Sequence, residues 1–336
     1  MCIAFSSLID EFQLVSTKNQ LNTDKSECFL WEKIGLKTTY KHSEFIFRSW
    51  LYVRKNLPTH VYTRDIVVAF FFSFFKISVA YEAHKDPKNI ISKILIILLK
   101  KKKNFKLVLI SKALSSFYKN IYKYPKNKLF AYHDAVFIEK YDKIRGTLKN
   151  KLRSNLNLPI DKLLVIHTGS LTKDRGGLLF ESILKEYSNV FFIHVGGSLF
   201  DIDKFKNVYS NYENIEFIPH QDNEKLVEYQ MSADLLFYSI TKEVDTYWCC
   251  SPMKIFEYMA TGVPILGSNI GSISEVLNPS NSIIFDPENQ KTIGSGFRYF
   301  TNNRVESKKK SDAALLEVRH LYTWSVRAKS ILEFIK

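Results

Sequence analysis

Lys254 and Glu257 lie three residues apart just behind Ser251-Pro252-Met253, a pattern able to hold a diphosphate and the ribose next to it. Ser251 has the side chain of a helix N-cap, and Pro252 suits the first helical position. The four N–H groups of the first turn then face any anion in front of them. Residues at i and i+3 share a helix face, so Lys254 brings a cation to the phosphates while Glu257 offers a carboxylate able to accept from two ribose hydroxyls. Gly262 is placed to end the helix in the left-handed conformation. An amphipathic core helix with an ordinary cap is spelled the same way, so the weight of the motif rests on its neighbours.

One neighbour is His167-Thr168-Gly169-Ser170-Leu171-Thr172-Lys173-Asp174-Arg175-Gly176-Gly177, which follows a hydrophobic strand and precedes a helical stretch. Backbone N–H groups in such a turn can cradle phosphate, although glycines there also serve purely structural turns. Two signals of this kind, in the right order within one sheet, weigh more than either alone.

Together they resemble the donor site of the family 4, or group 1, retaining glycosyltransferases, and the resemblance covers most of the chain. It implies the α/β GT-B fold, in which two Rossmann-like doubly wound domains enclose the active site in a cleft. Glu257 matches the glutamate that binds the donor's ribose. The run Gly271-Ser-Ile-Ser-Glu-Val-Leu277 resembles the loop and helix that follow. In the earlier motif Arg175 takes the place of a phosphate-binding lysine, and Ser170 replaces an arginine. A second glutamate is usual eight residues before Glu257, where this chain has Cys249. That departure concerns how the donor sugar's hydroxyls are held. His84, in Tyr81-Glu82-Ala83-His84, takes the position of a histidine set against the donor sugar, and His220 stands where the family's loop passes the nucleotide base. The implied catalytic set is Lys254, Arg175 and His84. The implied donor contacts are Gly169, Ser170, Arg175, His220, Ser251, Pro252, Met253, Lys254 and Glu257.

By this resemblance the reaction moves a sugar from a nucleotide diphosphate to a hydroxyl with retention. Lys254, Arg175 and the helix start at Ser251 stabilise the departing diphosphate, and neither a metal nor another cofactor is expected. Asp201-Ile-Asp203 spells a metal-bridging D-x-D, but it follows Gly196-Gly197 at a helix start, where acidic residues complement the dipole. Arg64-Asp65 and His133-Asp134 also stand at strand ends, with less specific matches. Three rivals are an epimerase of the same fold, for which no carboxylate pair is evident, a truncated or degenerate non-catalytic relative, and a basic nucleic-acid-binding protein.

The elements that must position these residues follow from the apolar pattern. From 163 onward short β-rich runs alternate with helical stretches: 163–167, 190–195, 215–218, 235–239, 263–266 and 282–285. Such alternation means a parallel doubly wound sheet. Upstream candidates are 60–63, 77–81, 106–110 and 129–132. The join is expected between Lys149 and Asp161, giving an acceptor-binding domain over 1–155, a nucleotide-sugar domain over 156–322, and a final helix over 323–336 that crosses back to the first. Met1 to Leu14 reads as a helix running into a strand, so the family's first strand and its glycine loop are expected to be missing, as in a chain that is truncated or begins at a wrongly chosen methionine.

With 336 residues, 46% of them hydrophobic, the chain can bury two ordinary cores. Its four cysteines, Cys2, Cys28, Cys249 and Cys250, show neither zinc spacing nor a disulfide framework, which fits a reducing cytoplasm. A net charge of +14 calls for an anionic partner. Lys85, Lys88, Lys93 and Lys100 to Lys103 flank the apolar run Ile90, Ile91 and Ile94 to Leu99, the pattern either of a helix lying on an anionic inner-membrane leaflet or of a core helix with a solvated lysine turn. No nucleic-acid motif accompanies the charge, so nucleic acid is not the expected partner. A lipid-linked saccharide acceptor and bacterial surface polysaccharide assembly, such as O-antigen, capsule or exopolysaccharide, follow from the family resemblance.

Overall fold

The computed structural model describes residues 1–9, 14–16, 26–28, 38–185, 187 and 189–336, with side chains at 1–9, 43–185, 187 and 189–336. Two compact units share them: Met1–Ile110 with Leu114–Tyr132 and Trp324–Lys336, and His133–Thr323 with Ser111–Ala113.

The first unit runs α1 (Cys2–Ser6), β1 (Leu14–Ser16), β2 (Ser26–Cys28), α2 (Thr38–Asn56), β3 (His60–Thr63), α3 (Ile66–Phe72), β4 (Ser78–Ala83), α4 (Ile90–Lys100), β5 (Phe105–Leu109), α5 (Lys112–Ile121) and β6 (Leu129–Ala131). Strands β3 to β6 form one parallel sheet in chain order. β1 and β2 pair in a separate parallel ribbon, so among the described residues no earlier strand joins the four-stranded sheet. A helix and a strand do open the chain as its pattern predicts, while 10–13 lie outside the described residues. Asp65 is a local device: its carboxylate accepts from the N–H groups of Val67 and Val68 and starts α3.

The second unit runs α6 (Glu139–Asp142), α7 (Lys149–Asn155), β7 (Leu163–Thr168), α8 (Glu181–Leu184), β8 (Val190–Val195), α9 (Leu199–Val208), β9 (Ile215–Ile218), α10 (Asn223–Ser232), β10 (Leu235–Tyr238), α11 (Met253–Thr261), β11 (Ile265–Ser268), a 3-10 turn (Gly271–Glu275), β12 (Ile283–Phe285), α12 (Gln290–Asn302) and α13 (Arg304–Leu321). Its six parallel strands lie in the order β12-β11-β10-β7-β8-β9. The order reverses between β7 and β10, the switch point at which α/β sheets open a crevice beyond their strand ends. Successive side chains alternate between two cores. Leu164, Ile166, Ile193 and Leu236 pack on one face of the sheet, and Val165, Phe192, Leu235 and Phe237 on the other.

The join expected at 149–161 is occupied by folded structure, and the units divide at 132/133 rather than at 155/156. Arg153, expected to interrupt the apolar pattern, is buried. It donates to the carbonyls of Ser232, Ile160 and Lys162 and to Asp234 Oδ2 at 2.7 Å, which fixes α7 in the second unit. A charge so fully bonded can sit inside.

The closing helix α14 (Trp324–Ile335) belongs to the first unit. It buries Ala328 and Ile331 and carries the fully buried Arg327, whose Nη2 meets Glu82 Oε2 at 3.0 Å. Tyr62 donates to the same oxygen, and His84 Nε2 reaches Oε1 at 2.5 Å. Burial opposes ionisation of Glu82, yet the His84 bond and the Arg327 charge outweigh it and hold the carboxyl below its ordinary value of 4.5. A depressed carboxyl contributes stability that is present above the ordinary value and lost as pH falls through the folded-state value. Calorimetric scans from about pH 7 to about pH 3 should therefore show the wild-type chain losing stability on the acid side. Glu82→Gln should unfold earlier at neutral pH, by about 3 kcal/mol, with a shallower acid dependence. Equal acid slopes in the two proteins would refute the role of the network.

Candidate functional site

Helix α11 starts one residue later than its sequence pattern suggests. Pro252, not Ser251, occupies the N-cap, and no side chain caps the helix. The Ser251 hydroxyl is engaged elsewhere: it accepts the N–H of Asp134 at 2.7 Å and meets His133 Nδ1 at 3.2 Å. His133 Nε2 in turn reaches Glu275 Oε2 at 2.9 Å, and Glu275 also accepts the N–H groups of Lys112 and Ala113. Burial would raise the Glu275 carboxyl, but these bonds, His133 foremost, hold it below the usual carboxylate range. Ser251 and His133 are buried and Glu275 half-buried, and the chain anchors the helix start, with Ser251 bonded to backbone rather than presented as a nucleophile.

The carbonyls of Cys249 and Cys250 are turned to the hydroxyls of Ser111, at 2.9 Å, and Ser272, at 2.5 Å. Pro252 has no N–H, and the Ile255 N–H goes to the Pro252 carbonyl. Among the described residues no acceptor reaches the N–H groups of Met253 and Lys254. Two aligned donors thus stand open at the positive end of a nine-residue helix, the condition for receiving an anion.

Lys254 Nζ pairs with Glu257 Oε2 at 2.7 Å, as their spacing predicts. The Lys254 stem lies over the loop after β7: a Cβ on Gly169 would sit 4.0 Å from Lys254 Cε. Gly169 itself is pressed against the loop after β8, because a Cβ on Gly196 would fall 2.1 Å from the Gly169 carbonyl oxygen, and both glycines have positive φ. Beneath them His167 and His194 face each other, Nδ1 to Nδ1, at 2.8 Å. Burial lowers both, His194 to about 4, so the pair adds no charge under the loop at neutral pH.

The remaining sequence candidates separate. Arg175 is exposed on the turns between Lys173 and Phe180, and its guanidinium makes no ion pair among the described residues. Its charge is felt at Cys250: burial pushes that thiol up, while Ser272 and then Arg175 act in the opposite sense. Arg175 therefore lies towards the start of α11. The helix expected directly behind the glycine loop begins only at Glu181, since the Gly176 and Gly177 N–H groups close turns to Lys173 and Thr172 instead. Ser170 is exposed on the same loop, and His220 is exposed between β9 and α10. Met253 is likewise exposed, and Gly262 ends α11 at φ 72°. Gly271 to Glu275 forms a 3-10 turn rather than a helix, with Ser272 tied to the Cys250 carbonyl. Asp201 supports the start of α9, where Ser198 accepts its N–H and donates to its carboxylate. Cys249 is fully buried.

His84 lies in the first unit with both ring nitrogens in use. Arg64 can only donate, so its 2.9 Å contact makes Nδ1 the acceptor and leaves Nε2 to give its proton to Glu82.

Gln230, on α10, and Tyr141, on α6, belong to no motif of the sequence, yet Gln230 reaches Glu257 and Tyr141 reaches Gln230. The Gln230 amide is buried, with Nε2 3.0 Å from Glu257 Oε2 and 3.1 Å from Thr168 Oγ1, and it accepts from the Tyr141 hydroxyl at 2.7 Å. Tyr258 accepts the Thr168 N–H at 2.7 Å. The available signal was a glutamine three residues past Val227 on the buried stripe of α10.

Residues 149–315 match the family model of the group 1 glycosyl transferases. The chain carries a domain of this family. A Bacillus subtilis (strain 168) protein named as a candidate teichuronic acid biosynthesis glycosyltransferase, TuaC, is 19% identical over 186 residues, which are 54% of this chain and 44% of that protein. The match thus spans less than half the length of that relative. Among solved structures, a glycosyltransferase from Rickettsia africae ESF-5 superposes with a TM-score of 0.81 at 15% identity, over 100% of this chain and 93% of that one. HepE from Anabaena, solved with UDP-glucose, gives 0.76 at 13%, over 99% and 94%. WaaG, a glycosyltransferase involved in lipopolysaccharide biosynthesis, gives 0.73 at 10%, over 100% and 94%. At these identities the superpositions speak to the fold, which is GT-B.

Gly196→Ala should drive the two loops apart, costing about 2–4 kcal/mol in urea unfolding and removing nucleotide-induced stabilisation. Gly146→Ala, where a Cβ meets nothing within 4 Å, should stay within about 0.5 kcal/mol of wild type.

Proposed function

We propose that this group 1 glycosyltransferase moves a sugar from a nucleotide diphosphate donor to a hydroxyl acceptor with retention, in the assembly of a bacterial surface polysaccharide. The observation that carries the reading is the start of α11, where two open N–H groups, the Lys254 ammonium and the Gly169 loop converge. Fixed donors of this kind stabilise charge as it develops on a departing diphosphate, and Arg175 adds a guanidinium suited to bidentate phosphate contact. Ser170, Pro252 and Met253 line the approach, with His220 beside the base. Glu257 holds the ribose. Phosphate charge is met by these groups without a metal. HepE is a neighbour solved with UDP-glucose, and WaaG and TuaC are named for surface-glycan synthesis, which supports the donor and the pathway class.

The second reading is a relative that binds a donor without turnover. Cys249 favours it, because a buried thiol stands where the family has a carboxylate.

Helix α4 supports an anionic leaflet as the place of work. Ile90, Ile91, Ile94, Ile97 and Leu98 are exposed by 40 to 69% on one arc, while Ile96 and Leu99 opposite them are fully buried. Phe74 is exposed beside this arc under the ammonium of Lys102, and Lys93, Lys101 and Lys103 border it. Among the described residues no helix is long and apolar enough to cross a membrane, so the arc would lie in the interface. A lipid-linked saccharide is the acceptor such placement suits.

Thermal shifts with UDP-, GDP- and ADP-sugars test the donor site. One donor should stabilise the wild-type chain, with and without EDTA, and lose its effect in Glu257→Ala and Lys254→Ala. No shift with any donor in folded protein sinks the reading, and a shift without sugar transfer selects the binding-only relative. Co-sedimentation with vesicles tests the leaflet. Phosphatidylglycerol vesicles should bind the chain in preference to phosphatidylcholine, and Ile90→Ser with Ile94→Ser should weaken binding by about tenfold or more. Unchanged binding in that double variant refutes the α4 contact.

A further inference from the structure

We infer that Gln230 is the positioning residue of the donor site, fixing which oxygen of Glu257 is spent inside the protein and which is left for the ribose. The inference rests on the ribose role proposed for Glu257.

An ionised carboxylate only accepts, so the Gln230 atom 3.0 Å from Glu257 Oε2 must be the NH₂, which settles an amide orientation otherwise open to a flip. Its second N–H is taken by Thr168 Oγ1 at 3.1 Å. Its carbonyl oxygen then faces the Tyr141 hydroxyl at 2.7 Å, the correct sense for a phenol that burial keeps protonated. Three partners from β7, α6 and α11 thus hold one amide in one orientation, and Gln230 is fully buried. Turning the amide over would set its oxygen against the Glu257 carboxylate, acceptor against acceptor.

The consequence falls on Glu257. Gln230 and Lys254 both bond Oε2, at 3.0 and 2.7 Å, and among the described residues no donor reaches Oε1. One oxygen is saturated from the protein side, and the carboxylate plane is fixed by two donors that converge from different helices. Oε1 is then held ready for hydroxyls of a ribose without any rotamer search at binding. Lys254 alone could not do this, because a flexible ammonium follows the carboxylate wherever it turns.

The test is calorimetric titration of the full chain with UDP, GDP and ADP, each beside its 2′-deoxy counterpart. Wild type should prefer the ribonucleotide of its own base, and Glu257→Ala should abolish that preference. Gln230→Met, which keeps the volume and loses the amide, should cut the preference about tenfold while leaving affinity for the deoxynucleotide unchanged. Adding Gln230→Met to Glu257→Ala should change nothing more, since a residue that acts only through Glu257 has no effect in its absence. Tyr141→Phe frees the amide to turn and should give an intermediate loss; if Gln230→Met does not fold, this variant decides alone. Equal weakening of ribo- and deoxynucleotide, or an unchanged preference in Gln230→Met and Tyr141→Phe, overturns the inference and leaves the ribose role of Glu257 standing. A wild-type chain that binds a nucleotide without ribose preference overturns both.

Discussion

The backbone at the start of α11 is left with donors that no acceptor among the described residues uses, and the chemistry proposed for the second unit depends on that deficit. A helix normally satisfies its first turn with a side-chain cap. Here the nearest hydroxyl, Ser251, is spent on Asp134 and His133, proline fills the cap position, and the two preceding carbonyls face Ser111 and Ser272. Each engagement removes one way of quenching the helix end. The result is a small, fixed concentration of positive potential, reinforced by Lys254 and by the exposed Arg175.

That potential has a use only if an anion can come close, and the glycines of the neighbouring loops set the approach. Gly169 and Gly196 let the ends of β7 and β8 meet with backbone against backbone, which lowers the floor in front of α11. The neutral His167–His194 pair below them keeps the floor polar without adding charge. Around this fixed centre the sheet order supplies the switch point, and the two cores on its faces supply the rigidity.

Much of this was legible from residue order. β-rich runs between helical stretches locate β8, β9 and β3 to the residue and the other strands of both sheets to within two, because strands buried on both faces are spelled by continuous apolar runs. Lys254, Glu257 and Gly262 follow from helix geometry alone. Other features depend on tertiary contacts that local spelling does not carry. The Ser251-Pro252 pair reads as cap and first residue, and only the presence of the 133–134 backbone diverts the hydroxyl. Lys149 to Asp161 reads as a join because Arg153 and Pro159 break the pattern, yet Arg153 is buried by carbonyls that come from β10's approach and the turn before β7. Gln230 needs the register of α10 against α11, which no spacing within α10 reveals.

The first unit is discontinuous in the chain, since α14, which carries Arg327 to Glu82, follows the whole of the second unit. Synthesis therefore completes the two units in the reverse of their order of appearance. The 133–323 segment, with both its cores encoded contiguously but for Ser111–Ala113, can consolidate while the first unit still lacks Arg327, the buried guanidinium that meets its buried carboxylate. Until α14 emerges, Glu82 is left with the exposed and more distant Arg64, at 3.8 Å, and with His84, so α14 completes the pairing that lets this carboxylate stay buried.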